Sequence, residues 1–528
     1  MVYIIGLFVP LMDNDSAHHA NIALRMYLSG DYVNLIDNGK DYLDKPHLHF
    51  WLCAFSYKIF GVTTFAYKLP SFLFSIAGVY SVYRLGKILF NAETGKLAAL
   101  IIASSFSFIL ANNDVRMDAI LTASIAFASW QGIAFIENKK IINASGLALG
   151  LAIGFCTKGH IAVFTPVAGL FFYLLYKKEW KLFLNWKWIV VIICFAIFIS
   201  PVVYCYYLQY NLYPEKIVNG KDHINGVKFI LLDQSIDRYT GVMGSDAKND
   251  YFFFLHSFIW AFAPWSFICY WALAERIKNG FKRKNEWFSV STILIIAIVV
   301  GVSGFKLPHY LNIVFPAASV LVASWLMLNR NKGKIIFKIQ VVVVTALLLL
   351  CAIINFWLFP LENYFLTPVI IMLLAGVFHF IKTSAVSFFS KAIYISVFSI
   401  ILFFFLFNSN YFPQLLSYQG GKALAAEKKE IAGDDDVYFW KDNYSSSFNF
   451  YTSSLRKQFD SLSLYNKKSV WLICNESDRK DILRPGYRIV RQVEAKDYEI
   501  TRFNLRFYIP STREASLTKM VLAEITAQ

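Results

Sequence analysis

Apolar stretches of membrane-spanning length recur along this chain from Leu69 to Asn408, and no other feature limits its fold so strongly. A helix needs about 20 mostly apolar residues to cross the hydrocarbon core of a bilayer. Stretches near that length fall at 68–86, 96–112, 118–136, 141–157, 160–176, 188–208, 251–273, 287–304, 309–328, 336–359, 364–381 and 391–408. A polar break, Thr157-Lys158-Gly159-His160, separates two of them. With the apolar run 1–12 they predict an all-α polytopic membrane bundle of about 13 transmembrane helices, with ends uncertain by a few residues. Composition agrees. Only 16% of the 528 residues are charged, against about 25% in a soluble domain. The run 1–12 is shorter than a span and lacks the basic flank and cleavage site of a signal peptide. It reads as the end of a longer first helix whose start codon lies upstream.

The 51 Lys and Arg exceed the 35 Asp and Glu, for a net charge of +16. Such a surplus suits either a nucleic-acid binder or a membrane protein with basic cytoplasmic loops. The positions decide. Arg84, Lys87 and Lys96 fall in one inter-span loop; Lys139 and Lys140, then Lys177, Lys178, Lys181 and Lys187, fall in alternate loops after it. Arg276 to Lys284, Arg330 to Lys334, and Lys382 with Lys391 continue the alternation. The intervening loops carry Asp13, Asp15, Asp31, Asp37, Asp41, Asp44, Asp114, Asp118, Asp233, Asp237 and Asp250. The N-terminus is therefore expected inside and the C-terminus outside, with no nucleic acid needed as partner. The seven cysteines form no CxxC pair and no zinc spacing.

The expected organisation is a transmembrane domain over 1–408 and a soluble extracytoplasmic α/β domain over 409–528. The membrane domain carries a first outer loop at 13–67, with amphipathic helices, and a second at 209–250. In the tail, Gly421–Ile431 and Asp478–Leu483 read as helices. Val437–Trp440, Ser469–Cys474, Arg488–Val493 and Phe503–Tyr508 read as strands.

The first loop concentrates chemistry. Asp13-Asn14-Asp15-Ser16-Ala17-His18-His19 leads into a helical pattern. Asp15 suits the N-cap of that helix, or a carboxylate base at the membrane surface. Asp44-Lys45-Pro46-His47 then precedes an apolar run, with Pro46 suited to a helix's first turn. Lys45 reads as a snorkelling anchor or as the partner of a phosphate just outside the bilayer. His18, His19, His47 and His49 invite a divalent metal, for which Asp44 and His47 are the candidate ligands. No strict metal motif is present, and histidines so placed are more often plain surface residues.

Read in order, these motifs resemble the membrane glycosyltransferases of the GT-C class. The branch is that of the bacterial aminoarabinose transferases of lipid A and the protein O-mannosyltransferases (glycosyltransferase families 39 and 83). Asp15, Ser29-Gly30-Asp31, Asp44-Lys45-Pro46 and Phe50-Trp51-Leu52 carry the likeness at the start. Arg116-Met117-Asp118, the glycine-rich Gly146 to Gly159, Ala263-Pro264-Trp265 and Lys306-Leu307-Pro308-His309-Tyr310 extend it to about residue 330. The chain departs from the family in having Ser16 where Glu is usual after the first Asp, and Asp44 where many members have Glu.

The resemblance implies a GT-C fold and a sugar donor carried on polyprenyl phosphate, such as undecaprenyl phosphate. It implies hexosyl or pentosyl transfer to a lipid, glycan or protein acceptor on the outer face of the bacterial inner membrane. One displacement implies inversion at the anomeric carbon. Asp15 would be the catalytic base and Asp118 a second catalytic carboxylate. Lys45, Lys306, Tyr310 and Arg238 would hold the donor phosphate. No cofactor is fixed by the likeness, and a metal is left open. By position alone, Lys306 reads as a membrane-edge anchor and Tyr310 as an interfacial aromatic; their common placement with Asp15 and Asp118 favours the functional reading. The competing readings are a polysaccharide ligase fed by a lipid-linked oligosaccharide and, from another class, a secondary transporter. A transporter places ionisable groups near the bilayer midplane, whereas these carboxylates and lysines cluster at span ends.

Overall fold

A computed structural model describes the chain except for residues 235, 238–249, 280–285, 304–305, 384, 434, 442, 460–468, 484–486 and 528. Among the described residues, seven helices are long and apolar enough to cross a membrane. They include Thr64–Leu89, Asp118–Asn138, Ile141–Lys158 and Pro308–Leu328. An eighth span results if Ala92–Ala103 and Phe106–Asn113, bent by 53° at the break between them, count as one. Ile161–Lys177, Trp287–Val302 and Leu366–Lys382 are shorter apolar helices. The chain is thus a multi-pass membrane protein, with a helix in every span expected after residue 60.

Three expected elements of the membrane domain differ. The run 1–12 is helical only over Val2–Gly6. The expected span 251–273 is two helices, Phe253–Ala261 and Ser266–Lys278, parted at a cis Ala263-Pro264 bond. The helix after Lys45 begins at Leu48 with His47 as its N-cap, so Pro46 precedes the helix and does not lie in its first turn.

Packing between two spans sets up the site. Asp118–Asn138 and Ile141–Lys158 run antiparallel, and the glycines of the second lie against the first. A Cβ on Gly146 would sit 2.7 Å from Gln131 Oε1, and one on Gly150 would sit 2.8 Å from Ala128 N. One on Gly154 would fall 2.7 Å from Ser124 Oγ. Without side chains at every fourth position the backbones approach closely, which is how helices associate in lipid, where burial from water supplies no drive. The same register carried one more turn sets Lys158 opposite Asp118. Gly159, at φ +78°, then ends the helix in a conformation that costs glycine little.

The tail folds into a five-stranded sheet. In spatial order its strands are Gln458–Phe459, Val437–Trp440, Ser469–Asn475, Thr518–Ala527 and Tyr487–Asp497. The first three run parallel, and the Thr518–Ala527 strand is antiparallel to both its neighbours. One face buries Phe439, Trp471, Ile473 and Leu522 against Leu424 of the Gly420–Ile431 helix. The other buries Val470, Leu472, Val521 and Ile525 with Ile482. Phe503–Tyr508, expected as a strand, holds the short helix Leu505–Tyr508.

The sheet domain is fastened to the first loop through Asp13. Its carboxylate accepts from Ser445 Oγ at 2.9 Å, Ser447 Oγ at 2.6 Å and the Ser447 amide at 3.1 Å. Gln419 closes the seam by donating to the Leu11 carbonyl at 3.0 Å. Burial pushes the Asp13 carboxyl above its ordinary range, and the two serines oppose that shift.

Gly150→Leu should force the two spans apart, because its side chain has no room against Ala128. The expected outcome is a lower melting temperature, with a cysteine pair at 118 and 158 that cross-links in the parent background but not in the Gly150→Leu background.

Candidate functional site

At one end of the bundle, charged side chains from four segments meet around Arg116. Its Nη1 donates to Asp15 Oδ2 and its Nε to Asp114 Oδ2, each at 3.0 Å. Asp15 is the first residue of the helix Asp15–Ser29. The N-cap role open to it belongs to Asn14, whose side chain accepts from the Ser16 amide at 2.8 Å. Freed from capping, the Asp15 carboxylate stays 53% exposed and can meet a substrate.

Two residues after Arg116, Asp118 opens its span with a side chain only 3% exposed. It accepts from Lys158 Nζ at 2.7 Å. The Lys158 ammonium also lies 4.6 Å from the centre of the Tyr310 ring, a cation–π contact. His309 Nε2 stands 3.9 Å from the second Asp118 oxygen. Asp15 and Arg116 lie within electrostatic reach of His309. Asp15, Arg116, Asp118, Lys158, His309 and Tyr310 therefore form one continuous polar patch.

Lys45 lies on a flank of that patch. Its Nζ pairs with Asp44 at 2.8 Å, and its side chain is 15% exposed. Tyr42 sets its hydroxyl 3.4 Å from Asp44 Oδ2 and 3.4 Å from His19 Nε2. The charges of Lys45 and Arg116 both act on His19, which burial holds well below the ordinary imidazole range. One turn after Asp15, His18 pairs with Asp37 at 2.8 Å and braces the small hairpin Ile36–Asp41. Burial works against the charged form of His18, but the Asp37 hydrogen bond and charge outweigh it and raise the imidazole's pKa.

The Lys306–Tyr310 segment divides its side chains. His309 and Tyr310 turn to Asp118, while Lys306 Nζ donates to the Asp250 carbonyl at 2.9 Å and lies 5.6 Å from the Tyr251 ring centre. Arg238 lies outside the described residues. The metal candidates are not brought together. His47 Nε2 donates to the Val33 carbonyl at 2.8 Å, and burial draws its pKa down to about 4. Asp44 is engaged by Lys45. Among the described residues no three His, Cys, Asp or Glu side chains converge as a ligand set.

Arg116, Lys158 and His309 join the site although sequence reasoning assigned them no role. Each sits inside a motif already singled out, beside or within three residues of an expected site residue or helix break. The signal was their occurrence in ordered motifs; the missing information was which residues face each other.

The residues 44–204 match the family model described as Dolichyl-phosphate-mannose-protein mannosyltransferase. A curated relative, the undecaprenyl phosphate-alpha-4-amino-4-deoxy-L-arabinose arabinosyl transferase of Pseudomonas paraeruginosa, is 24% identical over 314 residues. That match covers 58% of this chain and 53%, about half, of the relative. The crystal structure of ArnT from Cupriavidus metallidurans bound to undecaprenyl phosphate superposes with a TM-score of 0.76 at 16% identity. It covers 99% of this chain and 96% of that one. The chain therefore shares the fold of that transferase over nearly its whole length. The Archaeoglobus fulgidus oligosaccharyltransferase in its apo form shares the fold more distantly, with a TM-score of 0.53 at 11% identity over 87% of this chain and 64% of that one.

Removing one member of a buried ion pair strands the other charge, at a cost of about 3–5 kcal/mol. Lys158→Ala should therefore lower the melting temperature well below that of the parent, and adding Asp118→Asn to it should restore part of the loss. A second outcome concerns pH. Because the folded pKa of His18 is raised, its pair with Asp37 contributes stability fully below the unfolded value of about 6.5. That contribution is lost as pH rises through the folded value. Hydrogen exchange across residues 36–41 should accelerate over that rise beyond the intrinsic base catalysis, and Asp37→Asn should remove the excess.

Proposed function

We propose that the chain is an inverting glycosyltransferase that takes a sugar from a polyprenyl-phosphate carrier at the extracytoplasmic face of the bacterial inner membrane. The observation that carries the reading is the patch in which Arg116 pairs with an exposed Asp15, within electrostatic reach of a buried Asp118 that is paired with Lys158. A transfer of this kind separates charge. The anomeric C–O bond to the carrier phosphate breaks, the phosphate leaves with the bonding electrons, and the acceptor oxygen forms the new bond on the opposite face. The proton of the acceptor, where it carries one, passes to a carboxylate.

Asp15 is the better placed base, because it alone of the two carboxylates is open to a substrate. Asp118 is a positioning residue. It fixes the Lys158 ammonium against Tyr310, and Arg116 fixes Asp15. Fixed cations of this kind stabilise a departing phosphate at no cost in reorganisation. Lys45 lies on a flank of the patch and Lys306 on the segment that delivers Tyr310, so both are assigned to the carrier phosphate. Arg238 is kept as a candidate on the sequence motif alone.

Two features count against transport. Asp118 is the first residue of its span and Lys158 the last of its own, so the ionisable pair sits at span ends and away from the midplane where transporters bind. The 99% coverage of a transferase of the same fold also favours transfer. The sugar is a hexose or pentose, and the acceptor a lipid, glycan or protein of the envelope.

The test is release of polyprenyl phosphate by the purified full chain given polyprenyl-phosphate sugars. Asp15→Asn should keep expression and melting temperature while losing about 100-fold to 10,000-fold in turnover, the usual worth of a general base. Lys45→Ala and Lys306→Ala should raise the KM for donor more than they lower stability. Undiminished turnover by Asp15→Asn would end its assignment as base. Turnover only with a lipid-linked oligosaccharide would select the ligase reading.

A further inference from the structure

The opposite end of the same helices holds a second built site. A cavity of about 410 Å³ opens where the C-terminal ends of Thr64–Leu89 and Asp118–Asn138 meet the N-terminal end of Ile141–Lys158. Asp118 and Lys158 mark the other ends of two of these helices. A helix of 21 residues is about 30 Å long, so the cavity lies roughly a membrane thickness from the polar patch and shares no residue with it.

Arg84, Lys87 and Lys140 line the cavity, and no carboxylate does. Among the described residues no acid pairs with any of the three. The acids on neighbouring elements are engaged elsewhere: Glu137 with Lys177 at 2.7 Å, Glu179 with Lys139 at 3.7 Å and Glu93 with Lys96 at 2.9 Å. Arg84 is held in place by aromatic groups. Its Nη1 donates to Tyr80 Oη at 2.8 Å, and its guanidinium lies 4.6 Å from the Trp130 ring centre. Three cations kept together without a counter-charge repel one another, and an anion relieves that repulsion.

The rest of the lining identifies the anion's class. Ile88, Ala134 and Ile142 give the cavity an apolar side, and Ile142 is 72% exposed where the helix would meet acyl chains. Asn138 and Asn143 add neutral donors suited to phosphate oxygens or headgroup hydroxyls. A free phosphate has no use for the apolar side; a phospholipid uses both. Basic pockets between spans at this level bind anionic headgroups. We infer that this cavity is a binding site for the phosphodiester headgroup of an anionic phospholipid, with its acyl chains running along the exposed face beside Ile142. The inference is independent of the proposed transfer chemistry.

The test uses the full chain in detergent, titrated with phosphatidylglycerol, phosphatidylcholine or inorganic phosphate and followed by native mass spectrometry. Phosphatidylglycerol should be retained in preference to phosphatidylcholine. The triple variant Arg84→Gln/Lys87→Gln/Lys140→Gln should bind it on the order of a hundredfold more weakly, the sum of three near-surface charges. The charge-keeping variant Arg84→Lys/Lys87→Arg/Lys140→Arg and the remote Lys496→Gln, in the sheet domain, should bind as the parent does. Unchanged phosphatidylglycerol binding by a folded triple variant would overturn the site. Binding of inorganic phosphate as tight as that of phosphatidylglycerol would overturn the lipid as its occupant. If the triple variant does not fold, the parent decides: its preference for phosphatidylglycerol must weaken with added salt, and a salt-independent preference overturns the inference.

Discussion

The candidate site depends on one buried ion pair, Asp118 with Lys158. Ionisable groups inside a membrane protein are expensive unless paired. Each residue of this pair is nearly inaccessible, with side chains 3% and 7% exposed. The pair forms only because two helix ends arrive at the same place, and they arrive there because the Gly146, Gly150 and Gly154 face takes the other helix at close range. Once formed, the pair orders what surrounds it. Lys158 is held beneath the Tyr310 ring, His309 is drawn toward Asp118, and Arg116 is left to bridge outward to Asp15.

This arrangement grades accessibility along a chain of alternating charge. Asp118 and Lys158 are enclosed, Arg116 is partly covered, and Asp15 is half exposed. The enclosed members gain rigidity and the outer member gains reach, which is what a reaction that separates charge asks of its surroundings. The fastening of the tail at Asp13, two residues before Asp15, sets the sheet domain beside this outer member. The acidic and mixed-charge end of the bundle is thereby organised by direct ion pairs. The basic end gathers in a cavity three cations that no acid pairs with among the described residues. The same spans thus present two electrostatic environments, one at each end.

Local pattern made much of the fold legible. Gly420–Ile431, Val437–Trp440 and Ser469–Asn475 each lie within a residue of their expected bounds, because amphipathic alternation and helical periodicity are local properties. Nothing in the local pattern marks Thr518–Ala527 as a strand, although it is an interior strand of the sheet. Its Lys, Met, Leu, Ala and Glu are helix formers, and pairing with strands on both sides overrides that preference. Phe503–Tyr508 erred the other way, its aromatic residues suggesting a strand where the chain makes a short helix. Asn14 and Asp15 are both good caps, and which one caps depends on backbone angles that a run of residue types does not specify.

Sequence alone determined that the chain spans a membrane many times, that its basic residues gather in alternate loops, and that Asp15, Lys45, Asp118, Lys306 and Tyr310 stand in an ordered set of motifs. Hydropathy and motif order are properties of consecutive residues, so they can be read without coordinates. The tertiary structure alone decided that Arg116 joins Asp15, that Lys158 neutralises Asp118, and that Lys306 turns to Asp250 while its neighbours turn to Asp118. Those partnerships join residues 40 to 200 positions apart or split adjacent ones. They follow from helix register and approach distance, which exist only once the spans are packed.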